Sequence, residues 1–207
     1  MGTELVIEIA SDVICPWCYI GKRRMEKALA LLDGEVQPVI RWLPFELNPD
    51  MPQAGMPRAR YREAKFGSVE RGRSLDARVA AEGRGEGIAF AFERIERTPN
   101  TRAAHQLIAL AQSQGKAAPV VDALFRAYFE EAQDIGDAAV LAAIAAASGV
   151  SGWPGQANAT GVAEMEESVR RLGISAVPTF IFERKLGVSG AHPPEALASA
   201  MREALPK

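Results

Sequence analysis

Cysteine is nearly missing from this sequence: Cys15 and Cys18 are the only two among 207 residues. One such pair cannot supply the framework of bridges that staples small secreted folds, so the chain must fold on its own core. Histidine is equally scarce, with His105 and His192 far apart and each alone. A zinc site built on the two cysteines would need two more ligands from a second CxxC or a close histidine pair, and neither is present, so no metal is expected. No apolar run approaches the ~18 residues of a membrane span, so no membrane partner is expected. A formal net charge of -2 gives no surplus of positive charge for nucleic acid. The start "MGTELVIEIASD" has no basic segment, and Glu8 interrupts its short apolar run, so no secretory leader is expected and the chain reads as cytoplasmic.

What is present describes an ordinary globular protein. Apolar residues make up 48% and charged residues 24%, which excludes a disordered or membrane-embedded class. Seven arginines between Arg58 and Arg84 form a local concentration, but Glu63, Glu70, Asp76 and Glu82 interleave with them, as on a solvated helical face.

The pattern changes twice along the chain. Leu5 to Ala10, "LVIEIA", is a β-rich run with the continuity of a buried central strand. From Pro16 to Leu32 the apolar positions Cys18, Gly21, Met25, Ala28, Leu29 and Leu32 follow helical spacing, and Asp33-Gly34 ends it. Val36 to Phe45 reads as a second strand, so the first 45 residues predict a βαβ unit with both cysteines in the loop after the first strand. Three prolines in "ELNPDMPQAGMP" then break the pattern. Helical signals dominate to Gly149: one helix capped by Thr98 with Pro99 in its first turn, one around Val121 to Tyr128, and one capped by Asp137. Thereafter a helix from about Thr160 to Leu172, strand-like "AVPTFIF" (176–182), a short run "VSG" and a terminal helix from Pro193 restore the mixed pattern. The reading is an α/β thioredoxin-type order, βαβ…αββα, interrupted by an all-helical insertion. Residues 1–50 and 150–207 form the thioredoxin-like domain, and 51–149 the insertion.

Three chemistries compete for Cys15 and Cys18: a metal half-site, two small core residues, or a redox pair. Cys15 falls where a buried strand meets a helix whose first turn holds Pro16. Backbone N–H groups and the helix macrodipole favour negative charge there, and a thiolate is an anion. Cys18 lies one turn on, within the Cα separation a disulfide requires. Pro16 has no N–H to lose and pre-sets the turn. Redox chemistry therefore accounts for the cysteines, the proline and the junction together.

The segments "DVICPWCYIGKRRMEKAL", "RWLPFELNP", "RTPNTRAAHQL" and "GISAVPTFIF…VSGAHPPEAL" resemble the DsbA-like thioredoxin-fold oxidoreductases, in particular their FrnE-type cytoplasmic branch. The resemblance implies a thiol–disulfide oxidoreductase or disulfide isomerase with Cys15 as nucleophile and Cys18 as resolving thiol. Val177, Pro178 and Thr179 match the family's cis-proline loop, and with Pro16 and Trp17 they would contact substrate; sequence alone leaves the isomer of Pro178 open. Secreted relatives typically carry histidine where Trp17 stands, so this pair is expected to be less oxidising. No cofactor beyond the cysteine pair is implied. Substrates would be protein or small-molecule thiols and disulfides, with glutathione a candidate co-substrate; a homodimer is left open. Two alternatives stand beside this reading. One is a glutathione-dependent isomerase or transferase of the 2-hydroxychromene-2-carboxylate isomerase or kappa-class type, and the other is a chaperone or binding module without redox activity. Asn100 and Thr101 are candidates for a cleft between insertion and core, or for helix capping.

Overall fold

A computed structural model of the chain describes residues 2–205, so the outermost ends of the range 1–50 and 150–207, residues 1, 206 and 207, lie outside the described residues. Two compact units emerge: one runs up to Phe45 and resumes at Glu164, and the other spans Glu46–Ala163.

The first unit is built on a four-stranded sheet. Strand β1 (Thr3–Ser11) leads into helix α1 (Pro16–Ala30), and β2 (Val36–Pro44) returns parallel to β1. Late in the chain come helix α7 (Ala159–Arg171), which begins in the other unit, then strands β5 (Thr179–Phe182) and β6 (Leu186–Ser189) and helix α8 (Pro194–Ala204). The sheet order is β2-β1-β5-β6, with β5 antiparallel to both β1 and β6. Leu5, Ile7 and Ile9 alternate onto one face and are at most 2% exposed. Phe180 and Phe182, on the neighbouring strand β5, are fully buried. Burial of each such side chain contributes about 1.5–3 kcal/mol. Helix α1 packs against α8, and Ile20 and Met25 of the one and Leu197 and Met201 of the other are buried.

The β5–β6 hairpin places Glu183 and Arg184 both at positive φ (52° and 54°), a conformation usually left to asparagine and glycine. Their side chains are tied back to β1. Glu183 Oε1 accepts from Val6 N, and Arg184 donates from Nε (2.9 Å) and Nη2 (2.7 Å) to the buried carboxylate of Glu8.

The second unit is mainly helical: α2 (Arg58–Phe66), α3 (Val69–Gly85), α4 (Arg102–Ser113), α5 (Ala117–Phe129) and α6 (Ala138–Ala147). Leu107, Val120, Leu124, Phe125 and Phe129 are at most 1% exposed and form its core, with Phe90 and Phe92 stacked at 4.7 Å beside Phe129. Two features differ from the sequence expectation. Thr98 does not cap a helix: the proline that follows restricts it to extended backbone, and Arg97–Thr98 (β4) pairs with Met56–Pro57 (β3), so the helix starts at Arg102. Asp137, by contrast, does cap α6, accepting from Ala139 N and Val140 N. The arginine-rich stretch is also not wholly solvated. Arg58 and Arg62 keep only 11% and 10% of their side chains exposed, because α3 folds back over α2 and Asp76 provides the charge that makes their burial tolerable.

Candidate thiol redox site

Cys15 is the N-cap of α1, with extended backbone (φ -90°, ψ 111°), and Pro16 opens the helix. The Cys15 N–H donates to Asp12 O (3.0 Å), closing the turn that carries the chain from β1 into α1. Cys18 N donates to Cys15 O (3.0 Å), so the two thiols share the first turn of one helix. Both are buried, with exposures of 5% and 2%. Trp17 between them is 39% exposed, the outward-facing member of the motif.

Residues far away in sequence complete the site. The Cys15 thiol donates to Val177 O at 3.6 Å, within the reach of a sulfur hydrogen bond. The Val177–Pro178 bond is cis, which answers what the sequence left open. Pro178 and Thr179 are buried, and Thr179 Oγ1 donates to Ala176 O (2.8 Å) while lying 3.2 Å from Ser189 Oγ. Gly190 N donates to Pro178 O (2.8 Å), tying the loop to the strand end beside it. From the other side, Arg24 of α1 donates to Ala191 O at 2.6 Å. The structure thus brings together Cys15, Pro16, Trp17, Cys18, Val177, Pro178 and Thr179 within one unit. Asn100 and Thr101 lie in the other unit, where Asn100 donates to Met51 O (2.7 Å) and accepts from Arg102 N (2.9 Å).

Burial is the main influence on the Cys18 thiol and pushes it well above its ordinary range. The hydrogen bond and charge of neighbouring Cys15 push the same way, while the Ser11 side chain and the Asp12 backbone pull back without cancelling them. Cys18 is therefore held as a neutral thiol at neutral pH. Two thiols in such contact lose two electrons together to a substrate disulfide by forming a sulfur–sulfur bond, and regain them when that bond is reduced.

Three contributors escaped sequence reasoning. Ser11 and Asp12, polar residues ending a buried strand, surround Cys18 and Cys15, and Asp12 is itself fully buried; their position before "VICPWC" was the available signal. Gly21 gave none. A Cβ there would stand 2.9 Å from Pro178 Cγ and 3.2 Å from Phe180 Cζ, so only glycine lets α1 approach the proline loop this closely. Among the described residues no group of three or more His, Cys, Asp or Glu is gathered as metal ligands would be, and no helix is long and apolar enough to cross a membrane.

A strand leading into a helix with a dithiol at its first turn, faced by a cis-proline loop, defines the thiol–disulfide oxidoreductases of thioredoxin type. Residues 6–202 match the family model of the DSBA-like thioredoxin domain, and the chain belongs to that family. Its structure is similar to that of a probable DsbA oxidoreductase, SCO1869, from Streptomyces coelicolor, with 31% identity, a TM-score of 0.86 and coverage of 97% of this chain and 89% of the other. The uncharacterized protein YwbO of Bacillus subtilis (strain 168) is 27% identical over 186 residues, 84% of this chain and 85% of that one. The cytosolic disulfide reductase DsbM of Pseudomonas aeruginosa, solved with GSH, shares the fold at 18% identity and a TM-score of 0.65, covering 96% of this chain and 98% of the other.

Proposed function

We propose that this protein is a FrnE-type thiol–disulfide exchange enzyme of the cytoplasm, in which Cys15 is the nucleophile and Cys18 the resolving thiol. The Cys15 thiolate attacks one sulfur of a substrate disulfide; the new Cys15–substrate bond forms as the substrate S–S bond breaks, and the departing thiolate takes up a proton. Cys18, losing its proton, then attacks Cys15 Sγ. The Cys15–Cys18 disulfide forms, the second substrate thiol leaves, and two electrons have passed from the protein to the substrate. Run backwards, the same steps oxidise a dithiol; stopped at the mixed disulfide and reversed onto another sulfur, they isomerise. Two glutathione thiols would return the pair to its reduced form, a co-substrate use supported by the GSH bound to DsbM.

The observation that carries this reading is the asymmetry of the pair: Cys15 at the N-cap beside the Val177 carbonyl, Cys18 enclosed and held neutral. Val177, Pro178 and Thr179 would receive an extended substrate segment, and the exposed indole of Trp17 would add contact surface. The two compact units are read as a thioredoxin-like domain and a helical insertion. A glutathione-dependent isomerase would need one activating group and no resolving thiol, so retention of both sulfurs favours exchange. Insulin reduction and reactivation of scrambled ribonuclease test this: Cys15→Ser should abolish both, whereas a variant that keeps either activity would refute the assignment. Unchanged holdase activity alone, with no wild-type thiol activity, would favour the binding-module alternative.

A further inference from the structure

Helices α2 and α3 and the segment around the 3₁₀ turn Phe92–Arg94 enclose a pocket of about 610 Å³, within the range of ordinary small-molecule sites. Its wall is apolar: Val69, Ala77, Ala80, Phe90, Phe92 and Ile95. At its polar end two guanidiniums share one carboxylate. Arg58 Nη2 lies 3.3 Å from Asp76 Oδ2, and Arg62 Nη1 lies 3.1 Å from Asp76 Oδ1. This group of three carries one positive charge in excess. A third arginine, Arg73, and the carboxylates Glu93 and Glu96 are exposed residues at the rim.

The arginines are positioned more closely than a simple staple between helices requires. Arg58 lies over the Phe92 ring (5.5 Å) and donates to Tyr128 Oη (3.4 Å). Arg62 lies over Phe66 (5.1 Å) and donates to Gly72 O, and a Cβ on Gly72 would stand only 2.5 Å from Arg62 Nε. That Nε–H is buried and makes no hydrogen bond, a donor left over in a cluster where two guanidiniums share one carboxylate. Burial holds the Arg62 guanidinium below its ordinary range and the Asp76 carboxyl above its own, as expected of charges that one partner does not fully compensate.

We propose that this pocket binds a small organic anion, a carboxylate or sulfonate on an aromatic body, with the acid group against Arg58 and Arg62 and the body against Phe90, Phe92 and Ile95. An incoming anion supplies the second negative charge that the cluster lacks, and a planar guanidinium pair suits two-oxygen acids. The site lies wholly within the helical unit and does not depend on the thiol chemistry.

The test is fluorescence titration of the full chain with anilinonaphthalenesulfonate, alongside its uncharged analogue phenylnaphthylamine. The sulfonate should saturate one site and bind at least about tenfold more tightly than the uncharged molecule, the gain of one charge-assisted contact. Ala80→Trp, which fills the pocket from α3, should remove the saturable signal. Asp76→Asn, which deletes the competing carboxylate, should tighten binding several-fold, and Arg73→Glu at the exposed rim should weaken it. If Asp76→Asn fails to fold, the other two variants decide. Equal affinity for the uncharged analogue, an undiminished signal in Ala80→Trp, or no response to the charge changes would overturn the proposal.

Discussion

The thiol centre and the arginine cluster bury polar groups in opposite ways. Around Cys18 the contacts are a second thiol, a serine side chain and a backbone amide, and burial is answered by keeping the sulfur neutral. Around Asp76 full charges are buried, and their mutual pairing, with hydrogen bonds from Arg58 to Tyr128 and from Arg62 to Gly72, holds them there. The difference follows from what each group can give up. A thiol sheds its charge at little cost when desolvated and regains it only when chemistry requires, whereas a guanidinium stays charged and must find a partner. A sulfur that can lose and regain its charge suits thiol–disulfide exchange, and a fixed charge suits structure or ion recognition.

The comparison can be broken first on the charged side. Asp76→Ala would leave two guanidiniums without their carboxylate and should destabilise the fold by roughly 3 kcal/mol in urea unfolding, since an abandoned buried charge is expensive. A loss below about 1 kcal/mol would mean that water already compensates them.

Alkaline pH tests the two units separately. Burial raises Tyr128 from 10 to about 12 in the folded chain. Because the folded value lies above the unfolded one, this contribution is intact below pH 10 and is lost as pH climbs to about 12, a loss on the order of 3 kcal/mol. The raised Cys18 thiol acts with the same sign, its share present at neutral pH and lost as pH rises above the ordinary thiol range. Unfolding midpoints from neutral to strongly alkaline pH should therefore fall in the wild type. Tyr128→Phe should flatten the upper part of the fall, and Cys18→Ala should flatten an independent share of it.

Gly21 tests how tightly the thiol centre is packed. Alanine normally stabilises a helix interior by up to ~1 kcal/mol relative to glycine. Here the added methyl would overlap Pro178, and Gly21→Ala should instead cost about 2 kcal/mol as overpacking and lower thiol exchange activity. Stabilisation by this substitution would show that the loop yields readily. The smallest expected effect sharpens the contrast directly. Trp17→His would place a potential cation beside the cysteine pair, and the potential measured against glutathione should rise by about 30 mV, equivalent to about 1.4 kcal/mol; an unchanged or lower potential would show that the indole contributes more than shape.

Local signals made part of this legible in the sequence. The continuous apolar run of β1, the 3.6-residue spacing of α1, Pro16 at its start and Asp137 before α6 each act over a few residues, and each was readable there. The Thr98 cap failed because a two-residue ladder with Met56–Pro57 outweighs a local capping preference. The arginine run was read as solvated because interleaved acidic residues look the same whether they face water or, like Asp76, a buried partner. The contact from Cys15 to Val177 and the absence of room beside Gly21 depend on residues more than 150 positions away, which no periodicity reveals. For the proline loop, family resemblance supplied what local physics could not.

The central claim is the division of labour between the two sulfurs, and trapping of the mixed disulfide tests it most directly. Cys18→Ser, incubated with oxidised glutathione and analysed by intact-mass and peptide mass spectrometry, should accumulate one glutathione adduct on Cys15, while Cys15→Ser should accumulate almost none on Cys18. Equal adduct on both variants, or adduct on Cys18 alone, would contradict the account.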